Sequence, residues 1–193
     1  MDMDIPALNA WMDRNFTARA FRLETLQTYE VASDGSDFRR YLDGEPTWTR
    51  ERKEPWLATL RAEHETGRHR HRVRVITHPI TPYTRYACEW GYAPNSAAGE
   101  DIRILDLGEQ QMPDIGDVGR YDWWLATNTA GVHRVAIMRY AADGQFLAAV
   151  EETNPAEVAR YVAARDALWA AAEPFGPWWD RHPELHRDGA RVG

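Results

Sequence analysis

The chain has 193 residues, 44% of them hydrophobic, with 23 Lys+Arg against 30 Asp+Glu and a net charge of −7. Its one cysteine, Cys88, excludes an intrachain disulfide framework and a cysteine-built zinc site, and no stretch approaches the roughly 18 unbroken apolar residues of a membrane span. The acidic balance argues against a protein that coats nucleic acid, because phosphate binding needs a basic face.

Residues 1–9 are acidic and lack the basic-then-apolar order of a secretory signal, so a cytoplasmic protein is expected. Leu8, Trp11, Met12 and Phe16 have near-helical spacing, consistent with a short docking helix. Phe21 to Thr25 alternates apolar with polar, a strand signal. Asp34-Gly35 is a turn, and Ser36 is placed to cap a short helix carrying Phe38, Tyr41 and Leu42. These first 45 residues read as an extension packed on a domain.

From Glu54 the signals sharpen. Pro55 suits a first helical turn, and Trp56, Leu57 and Leu60 share a face of a helix that Gly67 ends. A strand is predicted over 72–77, with Val73 and Val75 facing the core and Arg72 and Arg74 on the outer face. Thr81-Pro82 opens a helix whose stripe is Tyr83, Tyr86, Ala87 and Trp90 and which Gly91 stops. Strands are predicted over 101–105 and 121–127, separated by an exposed loop over 107–120. Two more, over 133–140 and 145–151, are joined through Asp143-Gly144, a hairpin signal. Asn154-Pro155-Ala156-Glu157 supplies a cap, a first-position proline and a reciprocal carboxylate for a helix with Val158, Tyr161, Val162, Leu168 and Trp169 inside. Beyond Pro177-Trp178-Trp179 the chain turns polar, and 181–193 reads as a frayed tail. Helices alternating with strands up to a terminal hairpin and helix give an α/β (α+β) class.

Phe21-Arg22-Leu23-Glu24-Thr25-Leu26, Glu89-Trp90-Gly91-Tyr92, Asp122-Trp123-Trp124-Leu125 and Asn154-Pro155, followed by Arg165-Asp166-Ala167-Leu168-Trp169 and Pro174-Phe175, carry a resemblance. Through them the chain resembles an uncharacterised actinobacterial family often encoded beside helix-turn-helix regulators, and its element order looks like a phospholipase D-like domain. The resemblance implies a mixed sheet flanked by helices over 46–180, and a regulator protein as partner. Active phospholipase D-like enzymes carry His-x-Lys-x-x-x-x-Asp, with the histidine as nucleophile and the lysine on the phosphoryl oxygens. Here the single lysine, Lys53, follows Glu51 at the histidine position, and His133-Arg134-Val135 has valine where the lysine belongs. The family chemistry is therefore missing.

Other chemistry is sparse. Arg68, Arg70, Arg72 and Arg74, with His69 and His71 between them, form a basic run that is either a phosphate contact or solvated surface. Those arginines would repel a divalent cation from His69 and His71, and in His182-Pro183-Glu184-Leu185-His186 the glutamate is one position late for a zinc-protease helix. No metal and no cofactor are assigned. Trp48, Trp178 and Trp179 lie outside the best elements and are candidates for an exposed groove. With Glu89 and Asp122 they are the first choices for a ligand or partner site. The leading expectation is a non-catalytic sensor or adaptor binding a regulator protein or a small ligand, with a homodimer compatible. The alternatives are a phosphodiester or nucleotide hydrolase using His133 with Arg134 or Arg139, and a nucleic-acid accessory using the 68–74 run.

Overall fold

The structure is a computed structural model that describes residues 2–30 and 36–187; the Asp34-Gly35 turn and the end of the tail lie outside the described residues. Strands β1 (Asp2–Met3), β2 (Arg19–Glu24), β3 (His69–Ile76), β4 (Asp101–Asp106), β5 (Trp123–Thr127), β6 (His133–Tyr140), β7 (Phe146–Glu152) and β8 (Glu173–Pro174) form one open sheet. Its order is β1-β7-β6-β5-β2-β3-β4-β8. β2, β3 and β4 run parallel, and every other pairing is antiparallel, so the chain is a mixed α/β fold.

Helices cover both faces. α6 (Pro155–Ala171) and a 3-10 turn (Gly116–Arg120) lie on one face, where Tyr161, Ala164 and Leu168 meet Phe21, Leu23, Val73, Val75, Trp123 and Leu125. On the other face α1 (Ile5–Asn15) sets Leu8, Trp11 and Met12 over the small residues Ala20, Ala126, Ala136 and Ala149. Beside it a run of α4 (Pro82–Tyr86), a π-helical turn (Ala87–Tyr92) and α5 (Ala93–Ala97) joins α2 (Asp37–Leu42) and α7 (Phe175–Asp180) in an aromatic cluster on Ile76, Ile102 and Ile104. α3 (Arg50–Glu65) packs Leu57 and Leu60 on Ala98.

Several expectations need correcting. Residues 1–45 are no peripheral extension, because β2 sits between β5 and β3 in the interior of the sheet. α3 starts at Arg50 behind Thr49, so Pro55 lies inside it rather than in its first turn. Gly91 does not stop its helix; the wider π turn carries the chain on to Ala97. Asn154 caps α6 by accepting the Ala156 amide, but its own amide donates to Glu152 rather than to Glu157, which pairs with Arg160. The tail is docked as far as 187: Arg181 binds Glu109 and Glu173, and the Arg187 guanidinium lies 4.6 Å from the Tyr41 ring centroid. In the loop after β4, Met112, Ile115 and Val118 turn inward onto the core. The hairpin stands as expected, and Gly144 (φ +90°) is required there because a Cβ would lie 2.6 Å from the Thr28 carbonyl oxygen.

His71 shows what burial on both faces does to a titratable ring. It sits between Phe21 and Trp169, with centroids 5.2 and 5.1 Å away, and burial, helped by Arg165 and Arg19, pushes its pKa down to about 4. An unfolded histidine titrates near 6.5, so between those values the unfolded chain binds more protons than the folded one. The stabilisation from the neutral ring is complete above about pH 6.5 and is lost as pH falls toward 4, by up to about 3 kcal/mol. Urea denaturation of His71→Phe should show this part of the acid destabilisation removed relative to the parent chain.

Candidate functional site

Parallel pairing of β2 and β3 sets Arg22 opposite Arg72 and Glu24 opposite Arg74, all on the face under the helices. The antiparallel neighbour β5 sets Trp124 opposite Arg22, and Asp122, two residues earlier, shares that face. The residues that the alternation sends outward thus meet each other beneath α1, the π turn and α5. Arg72 is 8% exposed and Arg74 0% exposed, which corrects their expected place on a solvated strand face.

Arg72 is the hub. Its Nε and Nη2 donate to Glu100 Oε1 at 2.8 and 2.6 Å, and its Nη1 donates to Glu24 Oε1 at 3.1 Å. Arg22 Nε approaches the same Glu24 oxygen at 3.1 Å. Tyr92 donates its hydroxyl to Glu24 Oε2, and Asn95 Nδ2 donates to Glu100 Oε2, both at 2.8 Å. Burial pushes the Glu24 carboxyl up, but Arg22, Arg72 and Arg74 outweigh it and hold it well below the usual carboxylate range. Asp122 differs: it accepts the Thr25 amide and hydroxyl at 2.8 Å and the Tyr29 hydroxyl at 2.5 Å, with no cation among the described residues in hydrogen-bond contact. Burial therefore raises its pKa, only partly offset by Arg22 and those donors. The same burial pushes Tyr140 and Cys88 each up to about 12.

The rest of the basic run is also engaged. Arg70 grips Glu63 through Nε at 2.5 Å and Nη2 at 2.9 Å, and Arg68 lies 3.4 Å from the same carboxylate. Both guanidinium groups stack on Phe16, at 4.4 and 4.6 Å. The His69 and His71 rings diverge, one to His64 and the other to Trp169. Of the aromatic candidates, Trp178 is fully buried and donates its indole N–H to Asp106 at 3.1 Å, so it lines no exposed groove. Trp179 and Trp48 are half-buried against the aromatic cluster. Glu89 accepts the Arg187 amide at 2.6 Å and so anchors the docked tail.

His133 borders an open groove between β6 and α6 that Val132, Arg134, Glu152, Val158 and Val162 also line. Its Nδ1 lies 2.9 Å from Thr127 Oγ1, and burial, with Arg165, lowers its pKa. Arg134 leaves the strand on the opposite face toward Glu151, 3.8 Å away. Arg139 is six residues along, about 20 Å in an extended strand, and exposed beside Asp2. Arg139 stands apart from the groove, and among the described residues no hydrogen bond joins His133 to Arg134.

Sequence reasoning missed the end of β4. Asp106 is 1% exposed and accepts His78 Nε2 at 2.9 and 3.0 Å, the Gly108 amide at 2.8 Å and the Trp178 indole. Ligand atoms of Asp106, Glu109 and His182 lie within 4.8 Å of one another, the one such set among the described residues that could hold a metal ion. Arg181 binds both oxygens of Glu109, and Asp106 is already filled by donors, so the set is closed by protein partners. No local sequence pattern joins position 106 to 182; reading 181–193 as solvated tail hid the contact.

The family model for a domain of unknown function, DUF6879, matches residues 6–180. The chain belongs to the DUF6879 family. No curated protein and no solved structure matches it. The matched span of this DUF6879 domain contains every member of the charge cluster, from Arg22 to Asp122, and ends one residue before Arg181.

Removing the hub should expose its energetic role. Arg72→Met leaves Glu24 and Glu100 buried without their main cation and should cost about 3–5 kcal/mol. Arg134→Ala, on an exposed pair, should stay within about 0.5 kcal/mol of the parent. Urea denaturation of the two variants in parallel measures the contrast.

Proposed function

We propose that this DUF6879 domain is a non-catalytic, cytoplasmic sensor or adaptor that acts by binding a partner protein or a small ligand. On this reading its architecture is a degenerate phospholipase D-like arrangement, and the partner suggested by the sequence resemblance is a helix-turn-helix regulator. One observation carries the reading: among the described residues the His133 ring bonds Thr127 while Arg134 and Arg139 are drawn to Glu151 and Asp2, so His133 is not paired with either arginine. A mixed sheet with helices on both faces and the lack of any His-x-Lys in the chain support it. Arginines 68, 70 and 72 are committed to Glu63, Glu24 and Glu100, which speaks against their use on nucleic-acid phosphates.

Turnover on a panel of phosphodiester and nucleotide substrates should not exceed that of a His133→Ala control. Hydrolysis that disappears with His133→Ala would establish the hydrolase instead.

A further inference from the structure

Arg74 is the anomaly of the cluster. It is 0% exposed, yet among the described residues no carboxylate lies within ion-pair distance of it. Its one hydrogen bond runs from Nη2 to Thr84 Oγ1 at 3.3 Å, and its Nε and Nη1 have no acceptor. A guanidinium cannot shed its proton, so burial does not neutralise it as it would a lysine. The Tyr29 ring, 5.2 Å from the guanidinium carbon, offers a cation–π contact of about 2 kcal/mol at best, below the cost of an unpaired buried charge. Arginine is almost never fully buried unless it is paired.

The surroundings say what kind of group would pair it. Arg74 lies near the carboxyl ends of β2 and β3, where open α/β sheets present ligands. Arg22, Arg72 and Arg74 face two carboxylates held by cations, Glu24 and Glu100. The third, Asp122, is held by neutral donors, and burial drives it toward its protonated form. Over this end of the strands runs the segment after β2, held by polar contacts: Tyr29 to Asp122, Gln27 to the Val75 carbonyl and the Thr77 amide, and Thr81 and Thr84 to the Gln27 carbonyl. Gln27 and Thr81 are only partly buried, so their contacts exchange with water at low net cost, whereas Tyr29 also packs its ring on Tyr83 and Tyr140.

We infer that Arg74 is the anchor of a site for a small oxyanion, phosphate or carboxylate, reached by displacement of the Gln27–Tyr29 cover. This deepens the sensor reading and rests on it, since it names the class of ligand sensed. The ligand is small because Tyr92, Thr84 and Cys88, all buried, crowd the guanidinium.

The test titrates sodium phosphate, sulfate and acetate into the full chain at constant ionic strength, with chloride as reference, by calorimetry and thermal unfolding. At least one oxyanion should bind saturably and raise Tm. Arg74→Met should weaken that binding by at least about tenfold, the loss of one charge-assisted contact, and in chloride alone should be no less stable than the parent. Thr84→Val, which spares the charge, keeps the test open if Arg74→Met fails to fold; it should weaken binding by a smaller factor. Phosphate against acetate separates the two chemistries. A parent chain whose Tm ignores all three anions, or unchanged affinity in both variants, overturns the site. His133-dependent turnover would instead remove the sensor reading and leave the anion result standing, so the two failures are distinguishable.

Discussion

An arginine side chain keeps its charge wherever the fold puts it, and this fold puts three on one covered face of its sheet. Arg72 must therefore find its carboxylates inside the protein, and where they come from explains much of the architecture. Glu24 ends β2, Arg72 lies midway along β3, and Glu100 immediately precedes β4. One guanidinium thus ties together all three parallel strands. The tyrosine and asparagine that complete the two carboxylates, Tyr92 and Asn95, come from the helical layer above. The same bonds that neutralise the arginine dock that layer on the sheet.

The π-helical turn is part of the same solution. Tyr83, Tyr86 and Trp90 already form the apolar stripe that a regular helix would carry. Widening the turn over Ala87–Tyr92 brings Tyr92 to the sheet, where its hydroxyl reaches Glu24. Gly91, a stop signal in sequence, is an interior residue of that turn. A breaker by local propensity is carried through because the aromatic and ionic contacts on either side outweigh about 1 kcal/mol of helix propensity.

Most strands were legible for a simple reason: alternation with period two is a local property that β2, β3 and β4 carry, and Asp143-Gly144 marks the hairpin turn. The N-cap at Asn154 is equally local. What lies over a strand face is not. Val73 and Val75 alternating with Arg72 and Arg74 give the same pattern whether the arginines meet water or buried carboxylates 28 and 48 residues away. Trp178 and the docked tail failed for the same cause: their partners, Asp106 and Glu109, are 72 residues distant. Of the candidate site residues, Asp122, Arg72 and Arg74 do meet in one cluster, whereas Glu89 and the tryptophans went to packing and tail docking.

Buried ion pairs are poor evidence for stability, since well-packed apolar side chains of similar volume often do as well or better. What these charges can do is fix register. Apolar alternation on β2 and β3 settles which face each residue takes, but a slip of two residues preserves every face. A slip that set Arg22 against Arg74 would set Glu24 against Ile76 and carry it away from Arg72. Glu24 would then be a buried carboxylate without its cations, a penalty of several kcal/mol that the apolar residues do not impose. Arg72 and Glu24 are accounted for by that requirement. Arg74 is not: among the described residues it makes no ion pair and one hydrogen bond, to Thr84, so the register argument that explains its neighbours does not explain it.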